Sequence, residues 1–316
     1  MRREIALSFL PVLNQTMILF ILIFIGFIIK KKNIITDQMI KDLSGLITNV
    51  TFPLMMITAM NYEFSLEMLN NSILTFAYGA VSCGIVVIIA FIFNRVLKTD
   101  VLQKGVYNFL IVFPNAGFMG LPILKAMLGD IGVFYGAIYV LQTNLLTWTL
   151  GVKYMTSHIS SVDNNSFSFK SFINPGSVSV FIGLLVFISP VKLPDIIYSP
   201  LKLLGDTTTP LAMLVAGAML ADIKFSEVFG NLKLYIVAFI RLMIVPLSMF
   251  FIFSIVNVPS IVKCTLVMSS GMPSAIIVAI LATRYNADSR LASQGLFITT
   301  LLSILTLPLI IYLLTL

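Results

Sequence analysis

Long apolar runs, separated by short polar segments, repeat along this chain from one end to the other. Of its 316 residues, 59% are apolar and only 10% are charged, and the mean hydropathy is +1.03. A soluble domain carries about 25% charged residues, so this chain has too few charges to cover a surface that faces water. The runs therefore predict an all-α polytopic membrane protein with no sizeable soluble domain.

The apolar runs predict ten membrane spans, because about 20 helical residues are needed to cross the hydrocarbon core of a bilayer. The first run is too long for the apolar region of a secretory signal peptide and is followed by three lysines. We number the spans in chain order as 11–29, 39–60, 71–93, 104–126, 131–152, 174–190, 200–221, 232–256, 260–283 and 293–315.

The basic residues between the spans predict the orientation of the chain. The odd-numbered loops hold thirteen Lys and Arg residues, whereas the even-numbered loops and the N-terminus hold six. Basic loops stay in the cytoplasm, so we predict a multi-pass protein of the cell membrane with both termini outside. The net charge of +7 arises from these clusters and does not indicate a nucleic-acid partner.

Residues that carry enzymatic or metal chemistry are scarce. The two cysteines, Cys83 and Cys264, lie inside apolar runs, and the single histidine, His158, lies in a polar linker. A lone buried cysteine usually acts as a small apolar side chain. The spans contain neither a nucleophile with a histidine base nor a cluster of metal ligands. We therefore predict no enzymatic activity, no cofactor and no metal site.

The order of the spans indicates an internal repeat. A linker rich in Ser and Asn, residues 154–173, separates a first unit of five spans, 1–153, from a second unit of five, 174–316. Helix-disturbing residues recur between the units at a nearly constant separation: Gly26 and Gly183 (157 residues), Pro53 and Pro210 (157), and Pro114 and Pro273 (159). Since five is an odd number, the second unit enters the membrane from the opposite face, as in the inverted repeats of secondary transporters.

Spans 4 and 9 are predicted to be broken near mid-membrane. Span 4 reads FPNAGFMGLP over 113–122, and span 9 reads SSGMPSAII over 269–277. Proline removes a helix donor and glycine lets the backbone leave helical geometry. Each break would expose a half-helix N-terminus, near Asn115 and Ser274, whose amide groups and dipole favour an anion. For either break alone, a proline kink with satisfied backbone groups is the alternative.

The motifs in these spans resemble those of a known family. The stretch from Pro114-Asn115 to Met119-Gly120-Leu121-Pro122 resembles the PN…MGIP stretch of the plant PIN auxin exporters. Further similar segments lie in the second unit: Asn174-Pro175, Ile182-Gly183-Leu184, Pro273, Arg284-Tyr285-Asn286 and Thr306-Leu307-Pro308. The whole chain resembles the auxin efflux carrier family, whose bacterial members include permeases for malate and related acids.

The resemblance implies an elevator-type transporter with a sodium/proton antiporter-like architecture. Helices 4 and 9 would cross at their prolines, spans 3–5 and 8–10 would form the moving transport domain, and spans 1, 2, 6 and 7 would form the scaffold. Asn115 would contact the substrate carboxylate, Ile276 would line the pocket, and Met56 would take a scaffold position. Span 3 lacks the charged residues of the plant proteins, which favours a small carboxylate such as malate over auxin.

Polar residues in neighbouring spans complete the candidate site. Two of them have a second interpretation each: Arg241 is a functional intramembrane charge or a snorkelling side chain, and Asp206 is a coupling group or a helix cap. The pair Gln142 and Asn144 either hydrates the site or links helices. The predicted substrate-binding residues are Pro114, Asn115, Gly117, Pro273, Ser274, Ile276, Asn49, Thr51, Met56, Gln142 and Asn144.

The sequence thus predicts a secondary transporter of a small organic anion, with the lipid bilayer and a possible second copy of the chain as its other partners. The main alternative is a sodium- or proton-coupled carrier of the bile-acid symporter type, which shares the crossed helices. Such a carrier is expected to have acidic or clustered amide ion ligands at the crossing, and this chain has no carboxylate there. A receptor or channel is a further alternative, and the paired breaks argue against it.

Overall fold

The computed structural model describes residues 9–157, 174–189, 192–221 and 230–315, and these residues form helices without a strand. Most of the predicted linker lies outside them. In chain order the α-helices are α1 (Phe9–Lys31), α2 (Asp37–Leu46), α3 (Phe52–Ala59), α4 (Leu66–Val96), α5 (Val101–Val112), α6 (Leu121–Leu128), α7 (Asp130–Leu146), α8 (Val152–Thr156), α9 (Pro175–Ile188), α10 (Asp195–Asp206), α11 (Thr208–Ala221), α12 (Leu232–Phe239), α13 (Val245–Ile255), α14 (Ser260–Ser270), α15 (Ile277–Arg284) and α16 (Ser289–Thr315).

The helices confirm a polytopic membrane protein. Five stretches in the described residues are long and apolar enough to cross a bilayer. They are Leu13–Lys31, Leu66–Val96, Asp195–Ala221, Leu232–Ile255 and Ser289–Leu314. Shorter apolar helices lie between them at Ala116–Leu128, Pro175–Ile188 and Ser260–Ser270. The all-helical, multi-pass prediction is therefore confirmed, while the number of ten spans stays a prediction.

Wide π-helical turns interrupt several spans. Those in the described residues are Ile47–Thr51, Ala116–Gly120, Thr147–Gly151 and Ile240–Ile244. The first, second and fourth of them are followed two residues later by a proline, namely Pro53, Pro122 and Pro246. A proline ring clashes with the carbonyl group one turn earlier, and a wider turn relieves that clash. The prolines thus explain the positions of these three turns.

Helices α1 and α11 pack along each other with their backbones in close contact. A Cβ atom added to Gly26 would overlap the carbonyl oxygen of Leu214, and one added to Gly217 would overlap that of Ile23. In lipid, where water does not drive helices together, small residues allow this close packing. Helix α9 packs against α3 in a similar way, because Gly183 lies against the side chain of Met60.

Substitution of Gly217 by alanine is therefore expected to destabilise the protein by about 1–3 kcal/mol, the usual cost of overpacking. The measurement is thermal unfolding of the purified protein in detergent. The matched control is Gly84→Ala, since a Cβ atom at Gly84 meets no atom within 4 Å. Equal melting temperatures for the two variants would contradict the close contact between α1 and α11.

Helices α2 and α10 join this first group through α11 and α3, and a second group packs around α4, α14 and α16. Helix α4 packs against α5 and α7, and α14 packs against α4, α6 and α7. Helix α16 contacts α5, α12 and α15. Helix α1 reaches this second group through α6 and α16, and α9 reaches it through α7. Helices of the first and second predicted units therefore pack against each other around the interrupted spans.

Candidate substrate-binding site

The two interrupted helices meet at a short antiparallel bridge. Helix α5 ends at Val112 and α14 ends at Ser270, and the non-helical residues that follow pair through Pro114 and Ser274. The N–H group of Asn115 donates to the carbonyl oxygen of Pro273 at 2.7 Å. The N–H group of Ala275 donates to the carbonyl oxygen of Phe113 at 2.9 Å. The structure thus brings together Pro114, Asn115, Pro273 and Ser274, which the sequence places about 160 residues apart.

Ser274 holds the bridge rather than facing a ligand. Its hydroxyl group donates to the carbonyl oxygen of Leu110 at 2.7 Å, and its N–H group donates to Oγ1 of Thr299 at 3.3 Å. The residue is fully buried. The N–H groups of Ser274 and Asn115 are therefore both occupied. The free backbone N–H groups lie further along each segment, toward the helix that follows it.

Such groups lie at the first turn after each break. The wide turn Ala116–Gly120 leads into α6, and α15 begins at Ile277; neither start has a side-chain cap. The first N–H groups of a helix have no partner within that helix. The N–H groups of Ala116, Gly117 and Phe118, and that of Ile277 at the start of α15, are therefore the donors that this region offers to an anion. The N–H group of Val278 is occupied, since it donates to the carbonyl oxygen of Ala275 at 3.1 Å.

A cavity of about 210 Å³ lies against these two helix starts. Its apolar walls include Phe52, Phe118, Val140, Trp148, Ile276 and Ile280. Its polar walls include Thr48, Asn115, Thr143, Asn144, Thr147 and Asn174. Among the described residues, no acidic or basic side chain lines it. Gly117 and Ile276, both predicted site residues, lie in this wall.

Two side-chain amides in the cavity wall are available to a ligand. Asn115 is 4% exposed, and its side chain makes no hydrogen bond within the described part of the chain. Asn144 is half-buried and likewise has no hydrogen-bond partner for its amide among those residues. A buried polar group without a partner is costly, so Asn115 is poised to bind a polar ligand. Its NH₂ group is a donor suited to a carboxylate oxygen.

The cavity wall lacks six of the predicted residues, namely Pro273 and Ser274 of the bridge and four residues of spans 2 and 5. Asn49 is exposed, and its amide donates to the carbonyl oxygen of Gly45 in its own helix at 2.9 Å. Thr51 and Met56 are buried outside the cavity wall. The oxygen of Gln142 points at Gly79 of α4 instead. For Asn49 and Thr51 the physical reason is rotation, because one turn separates Thr48 from Phe52 and turns the intervening residues away. Met56 lies one turn beyond Phe52 in α3, past the end of the cavity wall.

The cavity wall also contains residues that the sequence does not predict. The spacing of Ser44, Thr48 and Phe52 at every fourth position was a signal for one helix face. Trp148, the only tryptophan of the chain, and Asn174 had no predicted role. The rings of Phe52 and Phe118 meet edge to face with their centroids 5.3 Å apart. This pair joins span 2 to the wide turn after the break in span 4.

A wider opening of about 1060 Å³ adjoins the cavity and shares Ser44 and Ile280 with it. Lys41, Arg284 and Arg290 line this opening, together with Asp37. A hydrogen bond from Lys30 and its charge hold the pKa of Asp37 below the usual range, so this carboxylate stays ionised at neutral pH. Most of the charged groups at the opening are basic, which favours the entry of an anion.

A third cavity, of about 640 Å³, is separate from the bridge and contains Asp206. Asp206 is exposed and lies 3.6 Å from Lys202, its partner one turn earlier in α10. Tyr62 also lines this cavity, and burial raises the pKa of its hydroxyl group to about 12. Asp206 is thus not brought to the candidate site, and an exposed ion pair of this kind contributes little energy.

Arg241 does not snorkel. It is 1% exposed, and its guanidinium group donates to three backbone carbonyl oxygens beside the bridge. The snorkelling interpretation of this residue is therefore wrong. Arg241 does not line the 210 Å³ cavity, so the structure separates it from the candidate substrate site.

Comparison with known proteins agrees with the membrane architecture. The family model described as membrane transport protein matches residues 11–311. An uncharacterized transporter of Methanocaldococcus jannaschii is 26% identical over 311 residues, covering 94% of this chain and 97% of that protein. An uncharacterized transporter of Methanothermobacter thermautotrophicus is 24% identical over 289 residues, covering 92% of this chain and 94% of that protein. The uncharacterized transporter YfdV of Escherichia coli is 25% identical over 63% of this chain and 64% of its own length. With nearly its whole length matched, the chain belongs to the membrane transport protein family, the PIN-like auxin efflux carrier family whose motifs it resembles.

Proposed function

We propose that this protein is a secondary transporter of a small organic anion, which binds by its carboxylate where the two interrupted helices meet. The observation that carries the proposal is the side-chain amide of Asn115, a buried residue. The amide has no hydrogen-bond partner among the described residues and lies in the wall of a cavity between two uncapped helix starts. Alternating access would then expose this site to each side of the membrane in turn.

The electrostatics of the site favour an anion. Each helix N-terminus carries about half a positive charge, so two of them converge to roughly one positive charge. Among the described residues, no acidic side chain lines the cavity to balance that charge. In a site with little water such a charge acts strongly. A single carboxylate would balance it, whereas a cation would meet the same sign of charge.

The shape and lining of the cavity narrow the substrate class. Phe52, Phe118 and Trp148 provide aromatic walls, and Val140 and Ile276 provide aliphatic ones. These walls suit an apolar body. Since no basic side chain of the described residues lines the cavity, a second carboxylate would have no partner there. The site therefore suits a monocarboxylate with an apolar body better than a dicarboxylate such as malate.

We further propose ten spans in two inverted repeats. Span 1 packs on span 7 at Gly26, and span 6 packs on span 2 at Gly183, its predicted equivalent. This reciprocal packing is what a two-fold relation between the units requires. Helices α1–α3 and α9–α11, which belong to spans 1, 2, 6 and 7, would be the scaffold. The helices of spans 3–5 and 8–10 would move as the transport domain.

Three of the thirteen basic residues that predict the orientation line the wider opening. Lys41, Arg284 and Arg290 lie in or directly beside loops assigned to the cytoplasm by the positive-inside rule. The cavity would then open inward, with both termini outside the cell membrane. Labelling of single cysteines placed at these positions in intact cells and in inverted vesicles would test the assignment.

A thermal-shift screen of the purified protein tests the proposed substrate class. Monocarboxylates with apolar bodies are expected to raise the melting temperature. At a ligand concentration of about 100 times Kd, binding adds about 2.7 kcal/mol to the free energy of unfolding. Dicarboxylates of equal size are expected to stabilise less, and amines not at all. Stabilisation by amines alone would contradict an anion site, and counterflow of the best ligand in proteoliposomes would establish transport.

A further inference from the structure

Arg241 lies beside the bridge and outside the cavity wall. It belongs to the wide turn Ile240–Ile244 of span 8 and is the largest fully buried side chain of the described residues. Its Nε donates to the carbonyl oxygen of Met272 at 3.0 Å, Nη1 to that of Ile111 at 2.9 Å, and Nη2 to that of Ser270 at 2.6 Å.

These three carbonyl groups belong to the ends of the two interrupted helices. Ile111 is in the last turn of α5, Ser270 is the last residue of α14, and Met272 lies two residues beyond the end of α14. The last carbonyl groups of a helix have no partner within it, and each helix end carries about half a negative charge. Two ends together carry about one negative charge, which the single charge of the guanidinium group balances.

The three carbonyl oxygens in turn stabilise the buried charge of Arg241. In the described ranges, no acidic side chain forms an ion pair with it. A buried charge must be paired or hydrogen-bonded. The planar guanidinium group presents several donors in a fixed arrangement, so one side chain can hold carbonyl groups from two helices at once. A lysine would offer a single point of charge.

Carbonyl groups at helix breaks are the groups with which many transporters bind a coupling cation such as Na⁺. We propose that Arg241 is a tethered cation that permanently fills this place, so that the two breaks stay joined without Na⁺. The consequence for transport, which rests on the proposed function, is that the anion moves without a coupled cation and carries its own charge across the membrane.

The first experiment needs no substrate. Thermal unfolding is measured for the wild-type protein, Arg241→Ala and Arg241→Lys, each in sodium chloride and in choline chloride at equal ionic strength. The wild-type melting temperature is expected to be the same in both salts. The alanine variant is expected to lose several degrees and to regain part of that loss with Na⁺ or with guanidinium ion far below denaturing concentrations. The lysine variant is expected to lose less.

The matched control is Arg284→Ala, since Arg284 is exposed at the end of α15. It is expected to show no specific response to guanidinium or Na⁺. A wild-type protein that Na⁺ stabilises over choline would overturn the proposal, even where the alanine variant does not fold. A folded alanine variant whose loss no small cation restores would assign Arg241 a packing role only.

The second experiment separates this inference from the proposed function. Uptake of the monocarboxylate identified by the thermal-shift screen is measured in proteoliposomes with and without a sodium gradient, and under an imposed membrane potential. Uptake is expected to follow the potential and to ignore the sodium gradient. Uptake that requires Na⁺ would overturn the role of Arg241 while leaving anion transport intact. If no anion is transported, the proposed function fails, and the salt dependence of unfolding still decides the role of Arg241.

Discussion

Replacement of Asn115 by alanine is expected to weaken the binding of an organic monoanion about 10- to 150-fold, because a hydrogen bond to a charged group contributes about 1.5–3 kcal/mol. The side chain is 4% exposed, and it faces the cavity without a partner among the described residues. Its removal costs the folded protein no internal side-chain bond, so folding should be unaffected. The measurement is ligand binding by thermal shift or calorimetry, followed by transport kinetics.

Two further variants sharpen this test. Asn115→Asp has nearly the same shape but places a negative charge beside the carboxylate, and it is expected to abolish binding at neutral pH. Asn49→Ala is the matched control, because that asparagine is exposed and bonds only to its own helix. Full binding by the aspartate variant would show that the anion lies elsewhere.

Replacement of Pro114 and Pro273 together by alanine is expected to lower transport at least about tenfold, equivalent to about 1.4 kcal/mol. Alanine is the best helix former and restores the missing N–H group at each position. Helices α5 and α14 could then continue past their present ends. The bridge would be lost, and with it the orientation of the free amide groups at Ala116, Gly117, Phe118 and Ile277.

The control for this variant is Pro308→Ala. Pro308 lies inside α16, which continues as a helix on both sides of it. This control is expected to keep transport near the wild-type rate. The measurement is counterflow in proteoliposomes, with hydrogen exchange of the amides around the bridge as a second readout. Wild-type transport and unchanged exchange in the double variant would contradict the role of the two prolines.

Much of the fold follows from patterns that repeat within short windows of sequence. Apolar runs predicted a multi-pass helical protein, and paired prolines predicted where the helices break. The contact between these breaks depends on residues about 160 positions apart, and no local pattern encodes it. The wide turns were also not predicted, although a proline two residues later is a signal for three of them.

The sequence predicts the cavity residues that lie next to the helix breaks better than those that neighbouring spans contribute. Asn115, Gly117 and Ile276 lie in the cavity wall because they are adjacent to the breaks. The polarity of Asn49 and Gln142 makes them candidates, but helix rotation turns Asn49 outward and Gln142 toward α4. Polarity alone does not give the direction of a side chain, which depends on the turn-by-turn geometry of its helix. The role of Arg241 depends on three carbonyl groups that lie far from it in the sequence, so no local pattern indicates it.

The wide turn at Ile47–Thr51 has a consequence for how homologous chains diverge. It holds one residue more than a regular turn, and each residue of an α-helix adds about 100° of rotation. A wide turn absorbs that extra residue, so deletion of a single residue there would let regular winding resume while α3 keeps the same side toward the cavity. A lineage can therefore gain or lose one codon in this turn and keep the cavity wall, whereas the same loss in a regular part of the helix would rotate every later residue by about 100°.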